Sequence, residues 1–117
     1  MPRVLIVDDE DDVHALLRAA VRRSKIAELT LDHARDGQQA LDILEAGGFD
    51  LVLTDLNMPH VTGTQLIDRM RARGDQTPVA VVGGLIVEEH PEALAHVPKA
   101  EVLSRPAEVI VDLLDRR

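Results

Sequence analysis

Short apolar runs alternate along the chain with longer segments whose apolar residues recur at helical spacing. The runs cover residues 4–7, 51–53 and 79–82 and are rich in Val, Leu and Ile. Runs of this length are typical of strands that are buried on both faces of a sheet. Their alternation with helical segments indicates βαβ units and a parallel sheet. The pattern therefore predicts an α/β fold.

Four segments have the spacing of amphipathic helices. In residues 12–24 the apolar positions lie three and four residues apart, and acidic residues precede them, where they favour a helix N-terminus. A second helix is predicted between Asp36 and the glycines that begin at Gly47, and a third ends near Gly74. The last contains apolar residues within 109–114.

Two further strands complete the predicted sheet. Residues 29–32 alternate between apolar and polar, which is typical of an edge strand, and residues 102–104 are predicted to form a short fifth strand. Prolines in the segment 83–100 leave room for at most a short helix. With right-handed crossovers, the expected order is 2-1-3-4-5 in a doubly wound, flavodoxin-like sheet with helices on both faces. Ligands of such sheets bind in the crevice between strands one and three.

The composition excludes several classes of protein. A chain of 117 residues fits one domain, 1–117. Its formal charge of -8 disfavours binding to nucleic acid and to anionic membranes. No cysteine is present to form disulfides or to ligate a metal, and neither an apolar span of membrane length nor a signal-like N-terminus is found. These features predict a cytoplasmic protein.

Carboxylates follow the two strands that border the predicted crevice. Asp8 and Asp9 come after strand one, and Asp55 comes after strand three. Two ionised carboxylates about 4 Å apart repel each other by roughly 4 kcal/mol at an effective dielectric constant near 20, so a cation is expected between them. Oxygen ligands favour Mg²⁺ or Mn²⁺, and Asp55 would then be placed to accept a phosphoryl group. The competing interpretation is that these acids only end strands and cap helices.

Five motifs give the chain a family resemblance. In order and spacing, it resembles the receiver domain of bacterial two-component response regulators over essentially its whole length. The motifs are VLIVDDE at 4–10, DGQQAL at 36–41, DLVLTDLNMPHVTG at 50–63, TPVAVV at 77–82 and SRP at 104–106.

The resemblance implies roles for residues around the crevice. It implies that Asp55 is the phospho-acceptor and that Asp8 and Asp9 hold Mg²⁺, with the backbone carbonyl of Asn57 as a further metal ligand. It also implies that a phosphodonor docks on the first helix and on the loops around the acceptor, near His14, Arg18, Met58 and Pro106. The five histidines are otherwise scattered and are predicted to be solvated.

Three positions depart from the family pattern. Gly83 stands where strand four usually ends in Thr or Ser, Arg105 stands where Lys usually precedes Pro, and Val102 stands where an aromatic residue is frequent. Arg105 could contact phosphate with two parallel donors, or it could be a surface residue or an ion-pair partner of Asp55. The hydroxyl-and-aromatic relay of the family is therefore not expected to operate.

Two segments near these positions have open interpretations. Gly83-Gly84 is either a simple turn or a place where backbone N–H groups approach a phosphoryl oxygen. Residues 85–87 are either core or a surface for a partner.

Three functions are consistent with this sequence. The first is a receiver in two-component signal transduction, which takes a phosphoryl group from a histidine kinase or a histidine phosphotransfer protein onto Asp55. It would signal through contacts with a downstream protein or a second copy of itself rather than turn over a substrate as an enzyme. The second is a degenerate receiver that docks or dimerises independently of phosphorylation. The third is a small metal-dependent phosphatase or nucleotide binder, for which no glycine-rich phosphate motif is present.

Overall fold

Strands and helices alternate along most of the chain. The computed structural model describes residues 2–24, 28–58, 60–83 and 90–117. Within these ranges no helix is long and apolar enough to span a membrane. The elements are β1 (Arg3–Val7), α1 (Asp11–Arg23), β2 (Thr30–Ala34), α2 (Gly37–Leu44), β3 (Leu51–Asp55), α3 (Gly63–Ala72), β4 (Val79–Gly83), β5 (Ala95–Pro98), α4 (Lys99–Ser104) and α5 (Pro106–Arg116).

The five strands form one parallel sheet in the order β2-β1-β3-β4-β5, which confirms the predicted topology. Its register aligns Val7 of β1 with Thr54 of β3, and Asp55 with Val82 of β4. The residues that follow β1 and end β3 therefore lie side by side at the same edge of the sheet. This edge holds the crevice where the chain reverses its winding direction.

The sheet is covered by helices on both faces, which explains the apolar runs of its central strands. One core contains Leu5, Val7 and Val52 of the sheet, packed with residues of α2 and α3. The other contains Val4 and Ile6, packed with residues of α1, α4 and α5. Successive residues of β1 thus enter opposite cores, so its buried residues, 4–7, are all apolar.

The predicted position of strand five is wrong. Residues 102–104 belong to helix α4, where Val102 packs in the core, and the fifth strand is Ala95–Pro98. Of its four residues only Val97 is buried, so β5 lacks the apolar signal of the central strands. Pro98 ends this edge strand, where a missing N–H costs no ladder hydrogen bond.

The segment before β5 was expected to hold at most a short helix. Its described part, residues 90–94, contains a turn and no helix. Gly84 and residues 85–87, for which alternative roles were considered, lie outside the described residues.

Helix α3 begins directly after the loop that follows Asp55. Its N-terminus has a capping box, in which the Thr62 hydroxyl accepts from the Gln65 amide and the Gln65 side chain accepts from the Thr62 amide. A Cβ atom at Gly63 would lie 2.8 Å from the backbone oxygen of Asp55. Glycine at this position therefore allows α3 to pack closely against the end of β3.

Candidate functional site

Two buried carboxylates lie at the ends of β1 and β3. Asp8 is 4% exposed and Asp55 is 7% exposed. Asp8 Oδ1 accepts a hydrogen bond from the Glu10 amide (2.9 Å), and Asp55 Oδ1 accepts one from the Asn57 amide (3.1 Å). The backbone amide of Asp8 donates to the Ala34 carbonyl (3.0 Å). The strand ends and these backbone contacts hold both carboxylates in fixed positions.

A lysine that the sequence interpretation did not assign to the site lies between these acids. Lys99 Nζ is 3.5 Å from Asp55 Oδ2 and 3.7 Å from Asp8 Oδ2. It is also 3.4 Å from Glu10 Oε1. Lys99 is placed there because it comes directly after β5 and opens α4. One ammonium group therefore contacts carboxylates from both strands that border the crevice.

Burial and charge shift the pKa values of this group. Burial raises the pKa of Asp8 above its usual value, and the Asp55 carboxylate adds to this, while the Glu10 amide and Lys99 oppose it. Burial alone would lower the pKa of Lys99, but the nearby carboxylates of Asp8, Asp55 and Glu10 outweigh it and raise the pKa. Lys99 is thus held as a cation, and the acids around it still outnumber it.

The acids after β1 offer a suitable donor set for a hard cation. Asp8, Asp9 and Glu10 can each place one carboxylate oxygen so that all three oxygens lie within 4.8 Å of one another. Asp9 and Glu10 are exposed, whereas Asp8 is buried beside Asp55. Oxygen donors of this kind fit Mg²⁺ or Mn²⁺. Glu10 was not among the residues predicted for the metal.

Arg105 does not occupy the position expected for it. It is exposed at the junction of α4 and α5, and its guanidinium Nη2 lies 3.4 Å from Glu101 Oε1 one helical turn earlier. The prediction followed from the wrong assignment of strand five, because the residue after that segment ends a helix. The residue that follows the actual strand β5 is Lys99.

Because Lys99, and not Arg105, follows the fifth strand, two of the three departures from the family pattern change. With Lys99 as the cation, the lysine position is filled and Ala100, rather than Pro106, follows it. Three residues before Lys99 lies His96 rather than Val102, and its Nε2 accepts a hydrogen bond from the His90 amide (3.1 Å). Gly83 remains a departure: it ends β4 opposite Pro98 and has no hydroxyl group.

The residues expected at a docking surface are mostly inaccessible. His14, Met58 and Pro106 are buried, and Arg18 is exposed. Among the described residues, the exposed large apolar side chains are Leu16 (40%) and Leu103 (37%). Both line a groove between α1 and the junction of α4 and α5. Pro106 also lines this groove, so one of the expected docking residues borders the exposed apolar side chains.

Two histidines form a pair beside the acidic loop, and the prediction that His14 is solvated is wrong. His14 is 4% exposed, its Nε2 lies 2.8 Å from the Asp8 carbonyl oxygen, and its Nδ1 lies 2.7 Å from Nδ1 of His33. Burial, with the nearby His14 and Arg18, lowers the pKa of His33 to about 4. His33 is therefore neutral at pH 7. The sequence offers no local signal for this pair, because one ring comes from α1 and the other from β2.

Comparisons with known proteins agree with this geometry. The model of the response regulator receiver domain matches residues 4–111. The chain is 39% identical over 80 residues to the response regulator protein PilR of Pseudomonas aeruginosa, a match that covers 68% of this chain and 17% of PilR. The match therefore spans less than a fifth of the length of that relative.

Solved structures share the fold. The receiver domain of a Francisella response regulator superposes with a TM-score of 0.82 at 20% identity, over 99% of this chain and 98% of that one. The response regulator TrrA of Thermotoga maritima superposes with a TM-score of 0.79 at 24% identity, over 97% of this chain and 99% of TrrA. At these identities the likeness shows the fold alone.

Proposed function

Because the chain belongs to the response regulator receiver family, we propose that Asp55 accepts a phosphoryl group from a phosphohistidine and that the protein acts in two-component signal transduction. The observation that carries this proposal is the convergence of Asp8, Asp55 and Lys99 where the sheet reverses its winding. A buried carboxylate beside a cation, next to a hard-cation donor set, suits phosphoryl transfer.

The hydrogen bonds of Asp55 indicate which of its oxygens attacks. Oδ1 accepts from the Asn57 amide, whereas Oδ2 faces the Lys99 ammonium group. Oδ2 would form the new O–P bond while the N–P bond of the phosphohistidine breaks, and the electron pair of that bond leaves with the imidazole. Lys99 would then stabilise the phosphoryl oxygens by charge-assisted hydrogen bonds. Asp55 becomes a mixed anhydride with phosphate.

A divalent cation completes the proposed site. Asp8, Asp9 and Asp55, with the backbone carbonyl of Asn57, would hold Mg²⁺ or Mn²⁺, and Glu10 is an additional carboxylate in reach of the same place. When bound, the ion supplies positive charge that offsets the repulsion between the carboxylates and the phosphoryl group. TrrA, which shares the fold, was solved in complex with Mg²⁺ and beryllofluoride, and this supports the choice of ion.

The proposed phosphodonor is a histidine kinase or a histidine phosphotransfer protein. TrrA was also solved in complex with the histidine kinase ThkA. The chain carries a formal charge of -8, so we propose protein partners in the cytoplasm rather than nucleic acid or membranes. Binding to a downstream protein and formation of a homodimer remain predictions.

The degenerate-receiver alternative depends on Gly83, which remains at the end of β4. The cation beside the acceptor is present, because Lys99 lies next to Asp55. Gly83 is a departure from the family pattern at the end of β4. The missing hydroxyl affects how phosphorylation of Asp55 is coupled to the rest of the domain. The acceptor and the cation that bind the phosphoryl group are both present.

Uptake of phosphate tests the proposed function. Incubation of the protein with a small acyl phosphate and Mg²⁺ is expected to add one phosphoryl group to the chain, as measured by intact-protein mass spectrometry. Removal of Mg²⁺ with a chelator should suppress the addition. A docking module would show no added mass under either condition, and a phosphatase would release free phosphate steadily without a phosphorylated chain. Either of these results would reject the proposal.

A further inference from the structure

We propose that His14 and His33 are a positioning pair that orients the acidic loop for its cation. The inference rests on the proposed function, because it concerns the Mg²⁺ site at Asp8 and Asp9. His14 Nε2 lies 2.8 Å from the Asp8 carbonyl oxygen, and its other ring nitrogen faces His33. Neither histidine is itself one of the proposed ligands.

The direction of the hydrogen bonds follows from the chemistry of the three groups. A carbonyl oxygen only accepts, so His14 Nε2 must carry a hydrogen. Where His14 is neutral, its Nδ1 is then a bare acceptor, and Nδ1 of His33 must be the donor across the 2.7 Å contact. A hydrogen-bonded chain thus runs from His33 through His14 to Asp8.

These contacts fix the backbone on both sides of Asp8. Its amide donates to Ala34, the residue after His33 in β2. Its carbonyl accepts from His14, and its side-chain Oδ1 accepts from the Glu10 amide. The peptide plane between Val7 and Asp8 is therefore held by β2, and the plane between Asp8 and Asp9 is held by His14 of α1. Asp9 directly follows this plane, so the His14 contact helps to set where the backbone of Asp9, and hence its Cβ atom, lies.

If the two histidines only filled space, they would stabilise the fold less than aliphatic side chains would. His14 is almost completely buried, at a place where an aliphatic side chain would fill similar space without polar atoms. In addition, Nε2 of His33 is buried without a partner in the part of the chain that the structure describes. An unsatisfied polar atom reduces stability. Outer hydrogen bonds that orient metal ligands typically change metal affinity by about 10- to 100-fold when removed.

Mg²⁺ affinity separates positioning from packing. His14→Leu places an apolar side chain of similar size in the same space but removes the donor, and we expect it to weaken Mg²⁺ binding about 10-fold, as followed by amide chemical shifts during Mg²⁺ titration. His14→Gln retains a terminal N–H donor and should bind Mg²⁺ more tightly than His14→Leu does. His90→Leu is the matched control, because His90 contacts Asp68 and lies outside the proposed metal site. Its Mg²⁺ affinity should equal that of the wild type.

A second variant and a measurement on the metal-free wild type test the proposal even if His14→Leu does not fold. His33→Leu leaves His14 in place but removes its partner, and it should weaken Mg²⁺ binding less than His14→Leu. In the metal-free wild type, the ring ¹⁵N shifts should show hydrogen on Nε2 of His14 and on Nδ1 of His33. The opposite tautomers would overturn the proposal, as would unchanged Mg²⁺ affinity in folded His14→Leu or in His33→Leu.

The outcomes also distinguish this inference from the proposed function. If the wild type takes up phosphate and Mg²⁺ and the His14 variants do so equally well, the proposed function stands and the positioning role is rejected. If the wild type binds no Mg²⁺ and takes up no phosphate, the proposed function fails and the positioning role fails with it.

Discussion

Asp55→Asn is expected to abolish phosphoryl uptake, because the amide has no anionic oxygen to form the O–P bond. The shape of the side chain is nearly unchanged, and the Asn57 amide can still donate to its carbonyl oxygen. The measurement is the mass gained on incubation with an acyl phosphate and Mg²⁺. Asp36→Asn is a suitable control, since Asp36 is half-buried, lies at the start of α2 and caps that helix through the Gln39 amide. It should take up phosphate as the wild type does.

The same substitution should change the titration of Asp8. The Asp55 carboxylate contributes to the raised pKa of Asp8, so its neutralisation should lower that pKa. Burial would still hold it above the usual value. Carboxyl ¹³C shifts across a pH titration measure the change. An Asp8 pKa that does not move in Asp55→Asn would show that the two carboxylates do not share a site in solution.

Replacing Lys99 by alanine is expected to slow phosphoryl uptake by about 100-fold. The ammonium group lies 3.5 Å from Asp55 Oδ2, where the charge of a transferring phosphoryl group would develop. Removal of a single donor to a developing charge typically costs about 10²- to 10³-fold in rate. Single-turnover uptake of phosphate at saturating Mg²⁺ measures the effect without interference from metal affinity.

Arg105→Ala is the matched control for Lys99. Both residues are cations near α4, but Arg105 is exposed and pairs with Glu101. Its removal should leave the rate within about twofold of the wild type, since an exposed ion pair of this kind contributes little. A large effect of Arg105→Ala together with a small effect of Lys99→Ala would reverse the assignment of the cation.

The central strands and their carboxylates could be predicted from the sequence. Residues of β1 and β3 are apolar at consecutive positions because helices cover both faces of the sheet, and this makes the strand ends visible. Asp8 and Asp55 mark those ends. The strand order then follows from the alternation of elements and the handedness of crossovers. The side-by-side position of the two acids is a consequence of that topology.

The end of the sheet near β5 could not be predicted in the same way. β5 has only one buried residue, Val97, and the more apolar Val102-Leu103 lies in a short helix. The apolar signal therefore marked the wrong segment, and the cation was placed at Arg105 instead of Lys99. A usable signal was present in Val97-Pro98-Lys99, where an apolar residue and a basic residue flank a proline that ends an edge strand.

The contact between the two histidines could not be predicted from the sequence either. His14 and His33 are separated by 18 residues and lie on a helix and on an edge strand. Periodicity shows which face of a helix is buried, but it does not show which polar side chain meets another across an interface. A buried polar pair is therefore recognised only once its hydrogen-bond partners are known.

The central claim is that Asp8, Asp55 and Lys99 form one site for a divalent cation and a phosphoryl group. Beryllofluoride is a stable mimic of the acyl phosphate, and its addition with Mg²⁺ to ¹⁵N-labelled protein tests the claim most directly. We expect large amide shift changes at the ends of β1, β3 and β4 and at Lys99, and none of them without Mg²⁺ or in Asp55→Asn. An unchanged spectrum of the wild type, or equal changes in Asp55→Asn, would contradict the claim.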